Sequence, residues 1–468
     1  MSKHDSKMVR RERLIPVNDR DLGMTLASGV DDTSCPTCRT DLISEYGARP
    51  WCPRCEWGLD VYEPRPGTSR LGRWAGAIAF RVAYRLTVSQ FRALVGRSPS
   101  RPGWTGARVV VAVVSVAFYI LVAAIVGVGG WLVFHDFPHA SILLGVLLLG
   151  LAAVLVPRFG RIDSSGEILS RDEAPGLHAL VDRVAATTGV PAPHSIAVTF
   201  DCAAGSTSVG IRRRRVLVLG LGLFGALPPQ QRVALIAHQL AHFGNGDVRR
   251  SGLTQPALAT LGQLSSVFQS PAGGWTALRD PLTARAPYSL AAMEVVSLRR
   301  PSGFGERVTG LVSQVLAAGF AAVHMVVSAA VLRDTQRAEY FADQRTAGLA
   351  GTRSTVALLD LLISGPVVAT CIANSARAGE TQPGWRAAVA ALTDRQSPRL
   401  TSLRQLSMRR ETALFATHPP SGLRSQMVER AGWRDPALVL VDGESDRIDT
   451  ELSGRYQRCR RDLATSGA

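Results

Sequence analysis

Two histidines on one predicted helix are the residues whose types and spacing first suggest chemistry. His238 and His242 flank Gln239 in the sequence HQLAH, on a helix predicted to begin after Leu227 and to end near Gly244. Residues at positions i and i+4 project from one face of a helix, so both imidazoles can reach one metal ion. Two unrelated surface histidines would have the same spacing, and the pair alone does not establish a metal site.

Further polar residues follow this helix in an order that favours a metal site. They are Asp247 in the sequence NGD, Glu339 and Asp343 in the sequence EYFAD, and His418 and Arg424 in the sequence HPPSGLR. Together with the predicted order of helix, strand pair, metal helix and glutamate helix, this arrangement resembles the HtpX and CAAX prenyl endopeptidase family of membrane zinc metallopeptidases. The likeness extends from about Arg171 to Arg430.

The resemblance implies a catalytic zinc site. In that family the two histidines of an HExxH motif and the glutamate of an ExxAD motif bind zinc, which by position gives His238, His242 and Glu339 as ligands. Two neutral imidazoles, one carboxylate and an open fourth position for water are the ligand set of a catalytic zinc site. Zinc in such a site lowers the pKa of water and polarises the scissile carbonyl.

Four other residues are expected around these ligands. Asp247 and Asp343 are candidates for carboxylates that orient the imidazoles, although a solvent-exposed or helix-capping aspartate is an equal alternative for each. By resemblance, His418 lies over the cleft and donates a hydrogen bond to the reaction oxyanion, with Arg424 in support. The alternative for His418 is a turn residue before two prolines.

Gln239 departs from the family pattern, because it stands where the family has the glutamate that acts as general base. A neutral amide cannot accept a proton from the attacking water or pass one to the leaving amine. General acid–base catalysis contributes roughly 10²–10⁴-fold, or about 3–5 kcal/mol of barrier, so we expect slow turnover at most. The alternatives are a natural zinc-holding pseudo-peptidase, a base removed by engineering, or another group that acts as base.

A second departure concerns the strand that pairs with extended substrate in this family. Residues 203–206 read AAGS where an asparagine-containing turn is expected. Backbone pairing does not need that side chain, so a peptide can still add to the sheet edge as a further strand. The sequence leaves the substrate specificity open.

Four of the seven cysteines form two C-x-x-C pairs. Cys35 and Cys38 make one pair, Cys52 and Cys55 make the other, and the pattern resembles a zinc ribbon. Four thiolates fill a tetrahedral shell, so this site is predicted to be structural and closed, with zinc replacing the core that so short a unit cannot build. A redox dithiol is the alternative. The partner of this module, whether protein, nucleic acid or its own membrane-proximal domain, stays open.

Composition excludes a wholly disordered chain and makes a simple soluble enzyme the less favoured class. The 468 residues include 53 Lys+Arg against 37 Asp+Glu, which gives a net charge of +16, while 46% of them are hydrophobic. Residues 64–108 hold nine arginines and no acidic residue, interleaved with aromatic and aliphatic residues. This segment is predicted to form a helix on an anionic lipid surface, with nucleic-acid binding or a plain linker as alternatives.

Two apolar segments are predicted to cross a membrane as a hairpin. Val109–Phe134 is uncharged and longer than the about 20 residues that a span needs, and Phe137–Val156 follows after a tight connection. Arginines flank only the outer ends, which places both ends in the cytoplasm. The runs 253–268 and 308–332 are doubtful further spans. We therefore expect a multi-pass protein of the bacterial cell membrane, with its ribbon and peptidase domain in the cytoplasm.

These elements predict an α+β fold that is mostly α-helical. It combines a membrane hairpin, a zincin-like (gluzincin) metallopeptidase domain and a small zinc ribbon. The predicted units are a disordered basic arm (1–30), the zinc ribbon (31–62), an Arg-rich interfacial segment (63–107), the transmembrane hairpin (108–157), the peptidase domain (168–435) and a tail (436–468).

Two functions are compatible with this organisation. The first is a membrane-anchored zinc metalloendopeptidase that hydrolyses peptide bonds at the cytoplasmic face, impaired by Gln239. The second is a catalytically inactive zinc-binding scaffold that binds extended peptides or partner proteins. A membrane-tethered nucleic-acid binder is the least favoured. The expected partners are a peptide or membrane-protein substrate, an anionic lipid surface and a protein that contacts the ribbon, with zinc as the cofactor of both sites.

Overall fold

A computed structural model describes residues 33–64, 70–97, 106–135, 141–155, 166–210, 214–244, 333–413 and 416–465. The predicted basic arm, the two doubtful spans at 253–268 and 308–332, and Asp247 lie outside these residues.

The described part of the chain is mostly helical. Its helices are α1 (Arg70–Leu94), α2 (Gly106–Phe134), α3 (Ser141–Leu155), α4 (Pro175–Thr188), α5 (Leu221–Ala226), α6 (Pro229–Gly244), α7 (residues 333–350), α8 (Thr352–Ile363), α9 (Gly365–Arg377), α10 (Gln382–Gln396), α11 (Leu400–Arg410), α12 (Ser421–Arg430), α13 (Asp442–Glu451) and α14 (Ser453–Thr465). Its strands are β1 (Glu167–Leu169), β2 (Ser195–Thr199), β3 (Ala204–Val209) and β4 (Arg214–Gly220). The predicted α+β, mostly helical class is thereby confirmed, whereas the gluzincin topology stays a prediction.

The four strands form one mixed sheet in the order β1-β2-β4-β3. β2 and β4 pair in parallel, with Ile196 opposite Leu217, and β1 and β3 add to them as antiparallel edge strands. Strand β2 buries three consecutive apolar residues, which is typical of a strand covered on both faces. Because β3 is the last strand in the order, its outer backbone edge has no strand partner within the described chain.

One hydrophobic core joins the sheet to α4, α5, α6 and the C-terminal helices. The members from α13, α14 and the single residue between them are Ile448, Leu452, Tyr456, Cys459 and Leu463. Buried Arg232 of α6 also pairs with Asp449 of α13, with 2.9 Å between Nη1 and Oδ1. The prediction of a tail at 436–468 is therefore corrected, because its sparse apolar residues pack into the same core as the sheet.

One helix among the described residues is long and apolar enough to cross a membrane, over Ala112–Phe134. The second predicted span is represented by α3, which has 15 described residues and is shorter than a full crossing. The two helices pack tightly through glycines, since a Cβ on Gly145 would lie 2.7 Å from the carbonyl oxygen of Gly129. This contact agrees with the predicted hairpin, while the second crossing and the orientation stay predictions.

Helix α1 has two different faces. Phe91 packs with Tyr340, Met408 and Met427, so one face contacts the domain that follows. The opposite side exposes an apolar row at spacings of four, consisting of Trp74, Ile78, Val82 and Leu86. Arg73, Arg81, Arg85 and Arg92 are exposed along the same helix. The predicted lipid-facing helix thus has one side against protein and an apolar, arginine-flanked side free among the described residues.

Candidate metal centres

Helix α6 places the two histidines on a face that points at α7. The helix begins with Pro229, which is tolerated in a first turn, and it is buried along most of its length. His238 and His242 lie one turn apart, and the Glu339 and Asp343 side chains of α7 lie one turn apart opposite them. Two packed helices with polar residues at i and i+4 therefore bring four polar side chains to one place.

Two imidazole nitrogens and the two oxygens of one carboxylate lie close together at this contact. His238 Nε2 is 3.4 Å from His242 Nε2, and Glu339 Oε2 and Oε1 lie 3.4 Å from His238 Nε2 and His242 Nε2 respectively. Zinc bonds of about 2.0–2.1 Å in a tetrahedral shell separate neighbouring ligand atoms by about 3.4 Å. These three residues form a group that could hold a metal ion without rearrangement.

The chemistry of the carboxylate also fits a cation. Glu339 is almost fully buried, and its Oε2 accepts no hydrogen bond of good geometry. A buried charge is costly unless it is paired or coordinates a metal. An ion bound between Glu339 and the two imidazoles would satisfy this oxygen, so the residues present fit zinc.

Asp343 contacts the ring nitrogen of His238 that is not the candidate metal-binding atom, and Arg424 in turn binds Asp343. Asp343 Oδ1 lies 3.1 Å from His238 Nδ1, and Arg424 donates two hydrogen bonds to Asp343, from Nε at 2.8 Å and from Nη2 at 2.7 Å. A carboxylate that accepts from Nδ1–H orients the ring so that Nε2 is the nitrogen that can bind a metal once it has lost its proton. The structure therefore brings Asp343 and Arg424 together with the candidate ligands, and the supporting role predicted for both stays a prediction.

The charges at this site shift its pKa values. Burial favours the neutral acid of Glu339, but the nearby His242, His418 and Arg424 outweigh it and hold the pKa of Glu339 well below its usual range. For Asp343, burial is again outweighed, here by Arg424, and its pKa is lowered. Burial lowers the pKa of His238, but hydrogen bonds to Asp343 and Glu339 outweigh burial and raise it to about 9. The site is therefore poised to keep both carboxylates ionised.

His418 reaches the same carboxylate from solvent. Its Nδ1 lies 3.0 Å from Glu339 Oε2, while 58% of its side chain is exposed. Pro419 and Pro420 follow it and lead into α12, which carries Arg424. The structure thus places His418 at the rim of the site, next to the candidate ligands.

A cavity of about 470 Å³ opens beside His238. Gln239, His418 and Arg424 line it on one side and Ala203 and Ala204, at the start of the edge strand β3, line it on another. The cavity therefore connects the candidate metal site to a sheet edge that could pair with an extended peptide.

Glu411 is a further carboxylate in this cavity that no sequence pattern singled out. It follows the last residue of α11, lines the cavity, and accepts a hydrogen bond from Ser421 N–H at 2.6 Å. Burial raises its pKa. A lone glutamate at a helix end has no distinctive spacing, and only the path of the chain brings it to the site.

Comparison with known proteins agrees with this geometry. Residues 171–431, more than half of the chain, match the family model of peptidase family M48. The chain belongs to peptidase family M48. The family predicted by resemblance is thereby confirmed, and with it the assignment of zinc as cofactor and of a metallopeptidase at the level of the family.

Several relatives of this M48 chain carry the name Protease HtpX homolog. One from Listeria monocytogenes is 24% identical over 155 residues, which are 32% of this chain and 50% of that protein. One from Salinibacter ruber is 30% identical over 150 residues, 32% of this chain and 50% of that protein. A protein from Methanosarcina mazei with the name Protease HtpX homolog 2 is 27% identical over 204 residues, which are 43% of this chain and 59% of that protein. The chain spans about half the length of the curated relatives it matches. No solved structure matches it.

The M48 chain also has a second candidate metal centre, formed by the four cysteines. Their sulfur atoms form a group that could hold a metal ion. Sγ–Sγ distances are 3.5 Å between Cys35 and Cys55 and 3.3 Å between Cys38 and Cys52. A zinc ion with bonds of about 2.3 Å to four sulfurs needs separations of about 3.8 Å, so small side-chain shifts would accommodate it. All four positions of the shell are then filled, which fits a structural ion.

Proposed function

We propose that this chain is a membrane-anchored zinc metalloendopeptidase of gluzincin type, with catalysis impaired at Gln239. The observation that carries the proposal is that the metal-binding atoms of His238, His242 and Glu339 lie 3.4 Å apart, with His238 in the lining of a cavity. Membership of family M48 supports the same chemistry. The proposal includes the assignment of the three ligands, the roles of the neighbouring side chains and the placement of the protein at a membrane.

The protein would supply orientation and charge around a bound ion. Zinc held by the three ligands lowers the pKa of a water molecule and polarises a peptide carbonyl. Asp343 keeps His238 in the tautomer with a free Nε2, and Arg424 keeps Asp343 in place. An extended substrate would pair with the outer edge of β3 and place its scissile bond over the cavity. The exposed ring of His418 at the rim is in position to donate a hydrogen bond to the carbonyl oxygen as negative charge develops there.

Gln239 limits the proton transfers of this reaction. Attack of water on the carbonyl carbon releases a proton that must reach the leaving nitrogen before the C–N bond breaks. The amide of Gln239 lines the cavity and can hold water by hydrogen bonds, but it cannot accept and return that proton. Zinc binding and substrate binding do not need the missing base, so they should survive its absence.

The test compares peptide hydrolysis by the wild-type protein and by Gln239→Glu. We expect the variant to be faster by about 10²-fold or more, the scale of a general base. Gln231→Glu, on the same helix and outside the cavity lining, is the matched control and should not accelerate hydrolysis. Hydrolysis by the wild-type protein that is as fast as hydrolysis by an active Gln239→Glu variant would mean that another group is the base. Glu411→Gln would then show whether that group is Glu411.

A non-catalytic scaffold is the second candidate, and Gln239 is the feature that favours it. In this role the same three ligands hold zinc, the edge of β3 binds extended peptides, and no bond is cut. The two functions differ in one measurement, since a scaffold would remain inactive after the Gln239→Glu change because its cavity cannot complete the reaction. Binding of an extended peptide to the wild-type protein is expected for both.

The membrane placement rests on α1, α2 and α3. The apolar length of α2 supports a span, and its packing against α3 supports a hairpin with both ends in the cytoplasm of a bacterial cell. The exposed row of Trp74, Ile78 and Val82 beside arginines supports contact of α1 with anionic lipid rather than with nucleic acid. Digestion by a membrane-impermeant protease in spheroplasts tests the orientation, because a cytoplasmic ribbon should stay intact until the membrane is opened.

A further inference from the structure

The four-cysteine module, residues 33–64, is docked on the peptidase domain through helix α11. Buried Trp51 donates from Nε1 to Gln405 Oε1 at 3.0 Å, and Gln405 Nε2 donates back to the carbonyl oxygen of Pro53 at 2.8 Å. Pro53 lies between two of the cysteines. One amide of α11 is therefore bonded on both its oxygen and its nitrogen to the backbone and core of the module.

Arg409, one turn further along α11, anchors the module at three points. Its guanidinium donates to the carbonyl oxygens of Arg49 and Gly58 at 2.7 and 2.6 Å and to Glu63 Oε1 at 2.8 Å. It also lies over the ring of Trp51, 5.4 Å from the centroid. Arg409 is almost fully buried, so these bonds hold a desolvated charge that only the folded module can satisfy.

The other side of α11 holds the beginning of α12. Gly422 N–H donates to Ser407 Oγ at 3.0 Å, and Ser421 N–H donates to Glu411 Oε2 at 2.6 Å. The approach is so close that a Cβ on Gly422 would lie 2.3 Å from the carbonyl oxygen of Arg404. Arg404 itself pairs with Asp360 of α8 and with Glu429 of α12. The position of α11 therefore fixes the position of the first turn of α12.

That first turn reaches the candidate metal site directly. Arg424, three residues after Ser421, holds Asp343 through two hydrogen bonds and lies 3.3 Å from Glu339 Oε2 through its Nη2. His418 precedes the same turn. A continuous series of buried contacts thus leads from the cysteine module through α11 and α12 to the ligands.

From these contacts we infer that the four-cysteine module is a positioning element of the metal site, and that Gln405 and Arg409 are positioning residues. The folded module holds α11, α11 holds the first turn of α12, and that turn holds Arg424 and His418 against Asp343 and Glu339. Release of the module should loosen this arrangement and weaken metal binding at His238, His242 and Glu339. The inference rests on the proposed function in one respect, which is that these three residues bind metal.

The test uses full-length protein in detergent and Co²⁺ as the metal probe. Cobalt held by four thiolates and cobalt held by two imidazoles and a carboxylate absorb differently, so the two sites titrate separately in one sample. Arg409→Met removes the bonds to the module and keeps much of the side-chain volume. Arg54→Met is the matched control, because Arg54 is an exposed arginine of the same module. Hydrogen exchange over residues 33–64 reports whether the module has been released.

We expect Arg409→Met to lower the Co²⁺ affinity of the histidine site roughly tenfold, the lower end of the range for removing a supporting residue of a metal ligand. Its absorption spectrum should also change, because the surroundings of His238 change with Arg424. Arg54→Met should alter neither property. If Arg409→Met does not fold, Gln405→Met carries the test, since it keeps the length of the side chain and removes the bonds to Trp51 and Pro53.

Two outcomes separate this inference from the proposed function. If a variant with a released module binds Co²⁺ at the histidine site with wild-type affinity and spectrum, the positioning role is wrong while the peptidase proposal stands. If His238→Ala leaves both cobalt spectra unchanged, the histidine site binds no metal and the proposed function fails first. Loss of the histidine-site signal in His238→Ala together with weakened binding in Arg409→Met supports both.

Discussion

The two candidate metal centres differ in how their ligands are brought together. The cysteine ligands come from one short stretch, Cys35 to Cys55, whereas the histidine and glutamate ligands come from two helices about 100 residues apart. The first group offers four ligands, enough to fill a tetrahedral shell, whereas the second offers three and lies beside a cavity that His238 lines. A local closed site can stabilise a small module, while an open site assembled by the fold can perform chemistry.

The surroundings of the two centres differ as well. Few apolar residues are buried within the module, and its small core of Ala48, Trp51 and Leu59 is completed by Leu406 of α11. The histidine site instead lies among buried charges, with Asp343 and Arg424 directly behind His238. The module therefore depends on its metal and on α11 for its fold, whereas the histidine site depends on the fold for its metal.

The largest expected effect follows from this dependence. Cys52→Ala should remove the module's zinc, so that metal content falls from about two ions per chain to about one. Structural zinc contributes on the order of 10 kcal/mol to the folding of such small units, so the module should unfold locally. Elemental analysis and hydrogen exchange over residues 33–64 measure both effects. Cys371→Ala, outside both centres, is the control, and a full complement of zinc in Cys52→Ala would show that the cysteines bind no ion.

A smaller effect is expected at the histidine site when a supporting carboxylate loses its charge. Asp343→Asn keeps the shape of the side chain but weakens its hold on His238 Nδ1–H and on Arg424. Zinc affinity at this site should fall by a factor of about 10 to 100, while the module's affinity stays unchanged. Competition with a chromophoric chelator measures it. Asp394→Asn, an exposed aspartate of α10, should have wild-type affinity. An unaltered affinity in Asp343→Asn would mean that Asp343 does not support the ligand.

The contrast between local and assembled sites also explains what the sequence could predict. The histidine pair was recognisable because helix periodicity alone puts i and i+4 on one face. The cysteine pairs were recognisable for the same local reason. Glu339 and His418 are far away in the sequence, and only resemblance to a known family connected them to the histidines. The family was confirmed by comparison, while the roles of individual residues stay predictions.

Contacts between distant segments could not be predicted. The bond between Trp51 and Gln405 joins residues 354 positions apart, and no pattern in either segment indicates the other. The strongly charged composition of residues 436–468 predicts a tail, and this prediction is wrong. Its few apolar residues lie at helical spacing, and they are buried because α13 and α14 pack into the same core as the sheet.

The pH dependence of metal binding offers a further test of the histidine site. Because the pKa of His238 is raised to about 9, a proton occupies this imidazole below that pH and must leave when a metal binds. Apparent zinc affinity should therefore rise about tenfold per pH unit between about pH 6.5 and 8.5, one displaced proton per ion. A flat profile at the histidine site would mean that His238 is neutral before the metal binds.

The smallest expected effect concerns the link between the two centres. Ser407→Ala removes the acceptor of Gly422 N–H and leaves a buried donor unpaired, which costs about 1 kcal/mol of unfolding free energy. Chemical denaturation of the full-length protein measures that cost. Ser402→Ala, on the same helix and half-buried, is the matched control and should change stability by less. If α11 and α12 couple the two centres, Ser407→Ala should weaken metal binding at the histidine site while the module stays docked. Arg409→Met, in contrast, should first release the module. A variant that loses stability but retains wild-type metal affinity would limit the role of this bond to packing.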